Sequence, residues 1–235
     1  MKKVIVFLFA LFTGSVMYAQ KVSPSANIIT EHRTMLNFSQ LSVSNGIDMV
    51  ITFAENEGIE IQAPDNIVQF IETIVLKDVL YVRFQKGFKL YGSAAVKVNV
   101  NMKTLTKLTA TKRSRVALEN ALAVDKLDIE LSESELTGHI TVQKASLTLE
   151  KTSQANLTGT CRDLKLILSG SSTIGNTSFA ADAVTAKLSK QSTARLKVNE
   201  SIEFNGTKES NFYYLGNPKI KGIKASGNSG IYKAD

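Results

Sequence analysis

The chain lacks most of what staples a small fold or equips a metal site. Its 235 residues include one Cys, two His, three Pro and no Trp, and aromatics make up 7%. A single Cys cannot close an intrachain disulfide. Two His and one Cys, far apart in sequence, do not make a Cys/His zinc site. Neither a phosphate-cradling glycine loop nor a nucleophile elbow is present, so no cofactor is expected. Beyond the first twenty residues, no stretch reaches the roughly 18 apolar residues of a membrane-spanning helix. What is present is 43% hydrophobic content, rich in Val, Ile and Leu, which excludes a disordered chain.

The first residues read as an address. Lys2 and Lys3 precede a short apolar run, Val4 to Phe12, and Ala19 stands at a plausible cleavage point. This is the pattern of a signal peptide over residues 1–19, and the run is too short to span a bilayer. No Cys lies near the cleavage point, so lipid attachment is not expected there. The protein is therefore expected to be exported: periplasmic, held at the cell surface or secreted. Its charge is uneven. Residues 20–100 carry seven basic and eight acidic side chains, and residues 101–235 carry 19 and 13. A basic balance invites nucleic acid, but export and the modest residual charge argue against that partner.

After the leader, period-two alternation dominates. It marks residues 41–53 around the turn dipeptide Asn45-Gly46, then 59–63, 79–84 and 94–100. Within residues 67–76, Ile67, Phe70, Ile71 and Ile74 share a helical face, so a short helix is expected there. The segment 20–32 reads as a linker and 33–105 as an N-terminal antiparallel β-unit.

Residues 106–235 carry an internal repeat. Ser114, Ser134, Ser153, Ser172, Ser192, Ser210 and Ser229 stand 20, 19, 19, 20, 18 and 19 residues apart. Two positions after each comes an apolar residue: Val116, Leu136, Ala155, Ile174, Ala194, Phe212 and Ile231. Six positions before each stands another, except at Asp128, where the coil has slipped by one. Each unit reads as strand, tight polar turn, strand and a third, less regular side. A unit this short cannot close a core alone, but stacked units can, which predicts an all-β parallel solenoid of about seven coils. Coils spaced at about 4.8 Å give a rod on the order of 30 Å long.

The segments NGIDMVI (45–51), APDNIVQFIETIV (63–75), VLYVRF (79–84) and VKVNVNMKTLTKLTA (96–110), followed by the serine-marked repeats, occur in a telling order. Together they resemble the auto-transporter adhesin "head GIN" domain of exported Bacteroidetes-type proteins, with Gly46-Ile47-Asp48 similar to the motif in its name. The resemblance covers roughly residues 33–232. It implies a β-helix with an N-terminal β-unit packed on it, and a role in adhesion.

Several side chains stand out as candidates. The serines are expected to bond nearby backbone and tighten the turn. Lys112, Lys151, Lys190 and Lys208 stand two positions before a serine, and Arg113 and Arg115 flank Ser114. A row of cations along one edge suits an anionic glycan or another envelope component. It equally suits a solvated face that keeps strand edges apart. Tyr213 is expected to point outward between core-facing Phe212 and Tyr214. Phe88 and Tyr91 are candidates to cap the rod, whose open end otherwise exposes strand edges. Cys161 reads as a small buried hydrophobe. The spacings Glu133/Glu135 and Asp128/Glu130 place carboxylate pairs on one strand face, the minimum for a solenoid glycosidase or lyase. No supporting His or Arg cluster accompanies them, so no catalytic residue is assigned. The leading expectation is a non-enzymatic binding or adhesion surface. A carbohydrate-active enzyme and a structural protein that engages an envelope protein are the alternatives.

Overall fold

The computed structural model describes residues 21–234; the expected signal peptide lies outside them. The N-terminal strands are β1 (Lys21–Val22), β2 (Ile28–Arg33), β3 (Gln40–Val43), β4 (Asp48–Phe53) and β5 (Gly58–Pro64). A 3-10 turn, Val68–Phe70, leads to β6 (Ile71–Leu76), β7 (Val79–Phe84), β8 (Lys89–Leu90) and β9 (Lys97–Met102). The repeats supply β10 (Lys107–Thr111), β11 (Arg115–Leu118), β12 (Leu122–Ser132), β13 (Glu135–Glu150) and β14 (Gln154–Leu168). They close with β15 (Thr173–Ser189), β16 (Thr193–Thr207), β17 (Asn211–Leu215), β18 (Lys219–Ala225) and β19 (Gly230–Lys233).

The repeats form a parallel β-solenoid of about seven turns at a period of about 19. Before the serine corner, Leu108, Ile129, Leu147, Leu166, Ala186, Phe204 and Ile223 stack in register. After it, Val116, Leu136, Ala155, Ile174, Ala194, Phe212 and Ile231 do the same. Both rows are buried except at the last coil. Each coil buries only a few such side chains, so its core exists only through its neighbours.

The serine corner is built from unusual backbone. The two residues before the serine adopt left-handed conformations in most coils, for example Lys190 (φ 55) and Gln191 (φ 62). Their backbone is bonded from coil to coil: Gln191 N–H donates to Lys208 C=O at 2.8 Å, and Ser171 N–H to Lys190 C=O at 2.8 Å. Inside the corner the serines form a buried ladder. Ser153 Oγ donates to Glu150 C=O at 2.6 Å and accepts from Ser134 N–H at 3.3 Å. Ser172 and Ser210 repeat the pattern. The slipped coil explains itself here. Ile129, not Asp128, aligns with Leu108, and the corner keeps one left-handed residue, Glu133 (φ 53). Ser134 Oγ accordingly reaches back two residues, to Ser132 C=O at 3.0 Å.

The third side carries register shifts, at Ala155/Gly159 and Gly175/Ala180 among others. Gly159 (φ 101) makes the bend possible, because a Cβ there would lie 2.1 Å from Ile140 O.

The N-terminal unit has the antiparallel pairs β2–β5, β5–β9 and β6–β7. It also supplies two parallel rungs to the same stack. β3 and β4 pair with β10 and β11, and β7 and β9 pair in turn with β3 and β4. Asn45 (φ 74) and Gly46 (φ 71) therefore make a solenoid corner rather than a hairpin, in register with Lys112 and Arg113. The helix expected at 67–76 is not formed. Only Val68–Phe70 turns, and Ile71–Leu76 is strand β6, antiparallel to β7. The β-branched Ile71, Thr73, Ile74 and Val75 suit a strand, and bonding the outer edge of β7 outweighs the helical spacing. Phe88 is half-buried against Phe70 and Phe84, at centroid distances of 4.5 and 5.0 Å. Tyr91, expected beside it as a cap, is 66% exposed.

Candidate binding site on the serine corner

Lys112, Lys151, Lys190 and Lys208 occupy the first left-handed position of their corners (φ 56, 54, 55 and 57), and all four are exposed. Such a conformation brings the Cβ of an L-residue close to its own following carbonyl and costs roughly 1–2 kcal/mol, which glycine escapes. Gly170 and Gly227 stand at the same position in neighbouring coils, and Asn45 in the N-terminal rung. The side chains at this corner share one edge of the rod. Lys190 and Lys208 are on adjacent coils, about 5 Å apart at strand spacing. Acidic residues punctuate the row: Glu133 and Glu209 take second corner positions, and Glu209 accepts from Gln191 at 2.9 Å.

The structure separates the other sequence candidates. Arg113 sits in the corner beside Lys112. Arg115 lies on the flat face after the corner, in a two-pronged ion pair with Asp48, Nε and Nη2 at 2.7 Å each. That carboxylate, through its hydrogen bond and its charge, raises the Arg115 pKa further. Tyr213 points outward as expected but far along the rod, stacked on Tyr232 at 5.4 Å and in register with Arg195. It does not join the lysine row.

Lys112 and Arg113 line a groove of about 530 Å³ whose opposite wall includes Phe84, Phe88 and Leu90. The far wall comes from the end of β7 and the segment that leads to β9, so sequence proximity gives no sign of it. Arg113 and Arg115 line a second groove, about 630 Å³, with Glu133, Glu135 and Gln154. A third depression, about 660 Å³, was also invisible in the sequence because four strands, β2, β4, β5 and β9, contribute to it. Register places His32, Glu60 and Asn99 side by side there, and Glu60 Oε1 accepts from Asn99 and Gln62 at 2.9 Å each.

The carboxylate pairs divide. Asp128 and Glu130 are ion-paired with Lys126 (3.6 Å) and Lys107 (2.8 Å) on the face before the corner. His139 hydrogen bonds Thr158 Oγ1 at 3.0 Å. Among the described residues, no group of three or more His, Cys, Asp or Glu converges on a metal position. Cys161 is buried, and that burial pushes its thiol up to about 12, so it fills space rather than reacts. Among the described residues, no helix is long and apolar enough to cross a membrane.

Known structures share this architecture. A putative adhesin from Bacteroides fragilis is 25% identical with a TM-score of 0.81, covering 91% of this chain and 100% of its own. A putative adhesin from Parabacteroides merdae is 16% identical with a TM-score of 0.75, covering 92% and 99%. A putative lipid binding protein from Parabacteroides distasonis is 14% identical with a TM-score of 0.75, covering 92% and 100%. The latter two likenesses speak for the fold alone. A comparison with curated proteins finds no match. A family model does match, over residues 37–218, and it spans the N-terminal rungs and nearly all the coils just described. The chain belongs to the family of the putative auto-transporter adhesin, head GIN domain.

Proposed function

We propose that the protein is an exported, non-catalytic binding protein of the cell envelope. Its serine corner holds an anionic glycan or another anionic envelope component, by way of Lys112, Arg113, Lys151, Lys190 and Lys208. The observation that carries this reading is the conformational cost of the lysines. Four exposed lysines occupy left-handed positions that neighbouring coils fill with glycine. Strain held at exposed lysines points to a use for their charge. The groove at Lys112 and Arg113, walled by Phe84, Phe88 and Leu90 and also lined by Glu133, offers two cations against one carboxylate beside apolar surface, which suits an anionic group carried on a less polar body. The adhesin description of the family agrees with a binding role. Tyr213 and Arg115 lie off this corner and serve the flat face.

The test is chromatography of the chain from Gln20 onward on a heparin-type resin. Wild type is expected to elute at higher salt than Lys190→Ala/Lys208→Ala and Lys112→Ala/Arg113→Ala variants, because each lost contact releases fewer counterions. Equal retention of all three overturns the reading. Incubation with a polysaccharide panel is expected to yield no new reducing ends; their appearance overturns the non-catalytic assignment. Fractionation that leaves the processed chain in the cytoplasm overturns export.

A further inference from the structure

The depression of about 660 Å³ over β2, β4, β5 and β9 has no part in the lysine corner. It lies on the outer face of the N-terminal sheet, opposite the buried side chains of Ile59, Ile61, Val98, Val100, Met49 and Ile51. Register sets the outward side chains in two rows. His32, Glu60, Asn99 and Val50 form one, and Gly58, Asn101 and Thr52 the next. Glu60 is fixed in place. Its Oε1 accepts from Asn99 Nδ2 and Gln62 Nε2 at 2.9 Å each, while its Oε2 faces His32 Nδ1 at 4.0 Å. The second oxygen is therefore a pre-positioned acceptor, and the Asn99 carboxamide beside it has a carbonyl oxygen and a second N–H to offer. The Asn101 carboxamide and the Thr52 hydroxyl bond to no other protein group among the described residues.

The floor is kept low by a glycine that the chain itself does not require. Gly58 lies outside the left-handed region, and a Cβ there would meet nothing within 4 Å. Glycines in the repeat strands have a visible cause. Gly138 and Gly206 are crowded by Leu118 and Phe204 at 2.7 and 2.4 Å, Gly159 takes φ 101, and Gly175 opens a register shift. Glycine in a strand weakens it and marks a place where something comes close. At Gly58 nothing in the chain does, and the space it leaves open is the depression.

We propose that this depression binds an uncharged saccharide, with one sugar ring lying over Gly58 and Val50 and its hydroxyls on Glu60 Oε2, Asn99 and Asn101. A sugar hydroxyl both donates and accepts, so neighbouring hydroxyls match a carboxylate set beside carboxamides. The C–H face of the ring needs a floor without a bulky side chain, which Gly58 supplies. Charges of both signs line the site, Arg33 and Lys97 against Glu57, Glu60 and Glu119, so no field of one sign selects an ion. The volume falls within the roughly 300–1,000 Å³ of small-molecule sites. The site is independent of the anionic reading of the lysine corner, because no residue is common to the two.

Native affinity gels cast with galactomannan, arabinoxylan, xyloglucan or dextran, run with the chain from Gln20 onward, test the idea. Retardation by at least one of them is expected. Titration calorimetry with oligosaccharides of that polymer should then give an affinity that about 0.5 M salt changes by less than about twofold, since no ion pair forms. Gly58→Leu, which fills the floor without meeting a neighbour, and Asn99→Ala are each expected to weaken binding at least about tenfold, with their folds checked by circular dichroism. Lys190→Ala/Lys208→Ala is expected to bind the neutral probe like wild type, so a failure here is distinct from a failure of the lysine corner. Three outcomes overturn the proposal: no retardation by any of the four polymers, undiminished binding in both Gly58→Leu and Asn99→Ala, or binding that salt abolishes, which marks an ionic ligand.

Discussion

The repeat coils and the N-terminal rungs lie in one stack but are specified differently. Between β10 and β19 each coil follows its predecessor in the chain, and the same serine closes every corner from inside. In the N-terminal part the rung of β7 and β9 lies outside that of β3 and β4, so chain order and stacking order part company. There the serine position is held by Ile47, fully buried, in register with Ser114. A buried hydroxyl ladder is therefore one way to fill this corner, and an aliphatic side chain is another. What both halves share is the left-handed turn outside it, Asn45-Gly46 in one and Lys112-Arg113 in the next.

The sharpest way to break the repeat half is at its bends. Gly159→Ala places a methyl 2.1 Å from Ile140 O at φ 101, so it should destabilise by about 3 kcal/mol or more. Gly216→Ala, with Val198 O at 2.3 Å and φ 102, should behave alike. Gly58→Ala in the N-terminal half meets nothing within 4 Å, and its effect should stay within about 0.5 kcal/mol. Chemical denaturation of the three variants checks the contrast. Equal losses at Gly58 and Gly159 would show that the bend is not the constraint.

The serine ladder comes next. Ser153→Ala removes the acceptor for Ser134 N–H and the donor to Glu150 C=O inside the corner. A buried N–H left without a partner costs about 1–3 kcal/mol. Ile47→Ser asks the reverse question. It loses buried aliphatic surface, and a loss of about 2 kcal/mol is expected unless the new hydroxyl joins Ser114. If Ile47→Ser is neutral, the ladder extends into the N-terminal rungs and the two halves differ less than their sequences suggest.

This contrast also explains what the sequence made legible. The repeat was readable because a period of 18 to 20 residues keeps every contact local, down to the slip at Asp128. The N-terminal rungs were not, since Val43 meets Ala110 and Val82, and no local pattern reports such separations. The alternation in 41–53 showed the strands and the Asn45-Gly46 turn but not their partners. Residues 67–76 carried a helical spacing that β-branched content and an unpaired neighbouring edge overrode. For the candidate site, the lysine row was legible as a sequence position. Its left-handed backbone, the groove wall from Phe84, Phe88 and Leu90, and the capture of Arg115 by Asp48 were not, because each depends on a partner far away in the chain.

The lysine corner gives a smaller effect of opposite sign. Lys190→Gly relieves the left-handed strain of roughly 1–2 kcal/mol but adds backbone freedom to the unfolded chain, worth about 0.5–1 kcal/mol. The net expectation is a gain of up to about 1.5 kcal/mol in thermal or chemical melts, together with weaker retention on the anionic resin. A Lys190→Gly variant that is destabilised would show that the lysine stem packs usefully on the corner. The conformational cost would then no longer point to binding.

The smallest effect separates the halves by acid. In the N-terminal half, the Asp78 carboxylate accepts from Ser39 Oγ at 2.6 Å and from Ser39 N–H at 2.7 Å. Those bonds hold it below the usual carboxylate value of 3.8. Asp65 is lowered in the same way by Ser25 and Asn27. A carboxylate depressed in the folded state stabilises fully above its unfolded value, and the contribution disappears as pH falls through the folded one. Both groups are exposed, so solvent screening keeps the Asp78 contribution within about 0.5 kcal/mol. Asp78→Asn should therefore melt slightly below wild type at pH 7, and the gap should close as pH falls through the depressed folded value. The Ser39 latch ties the β6–β7 turn to the start of β3, so the loss belongs to the rungs whose order departs from the chain. If the gap does not close as the medium is acidified, the cost of Asp78→Asn comes from the geometry of that turn and not from its charge.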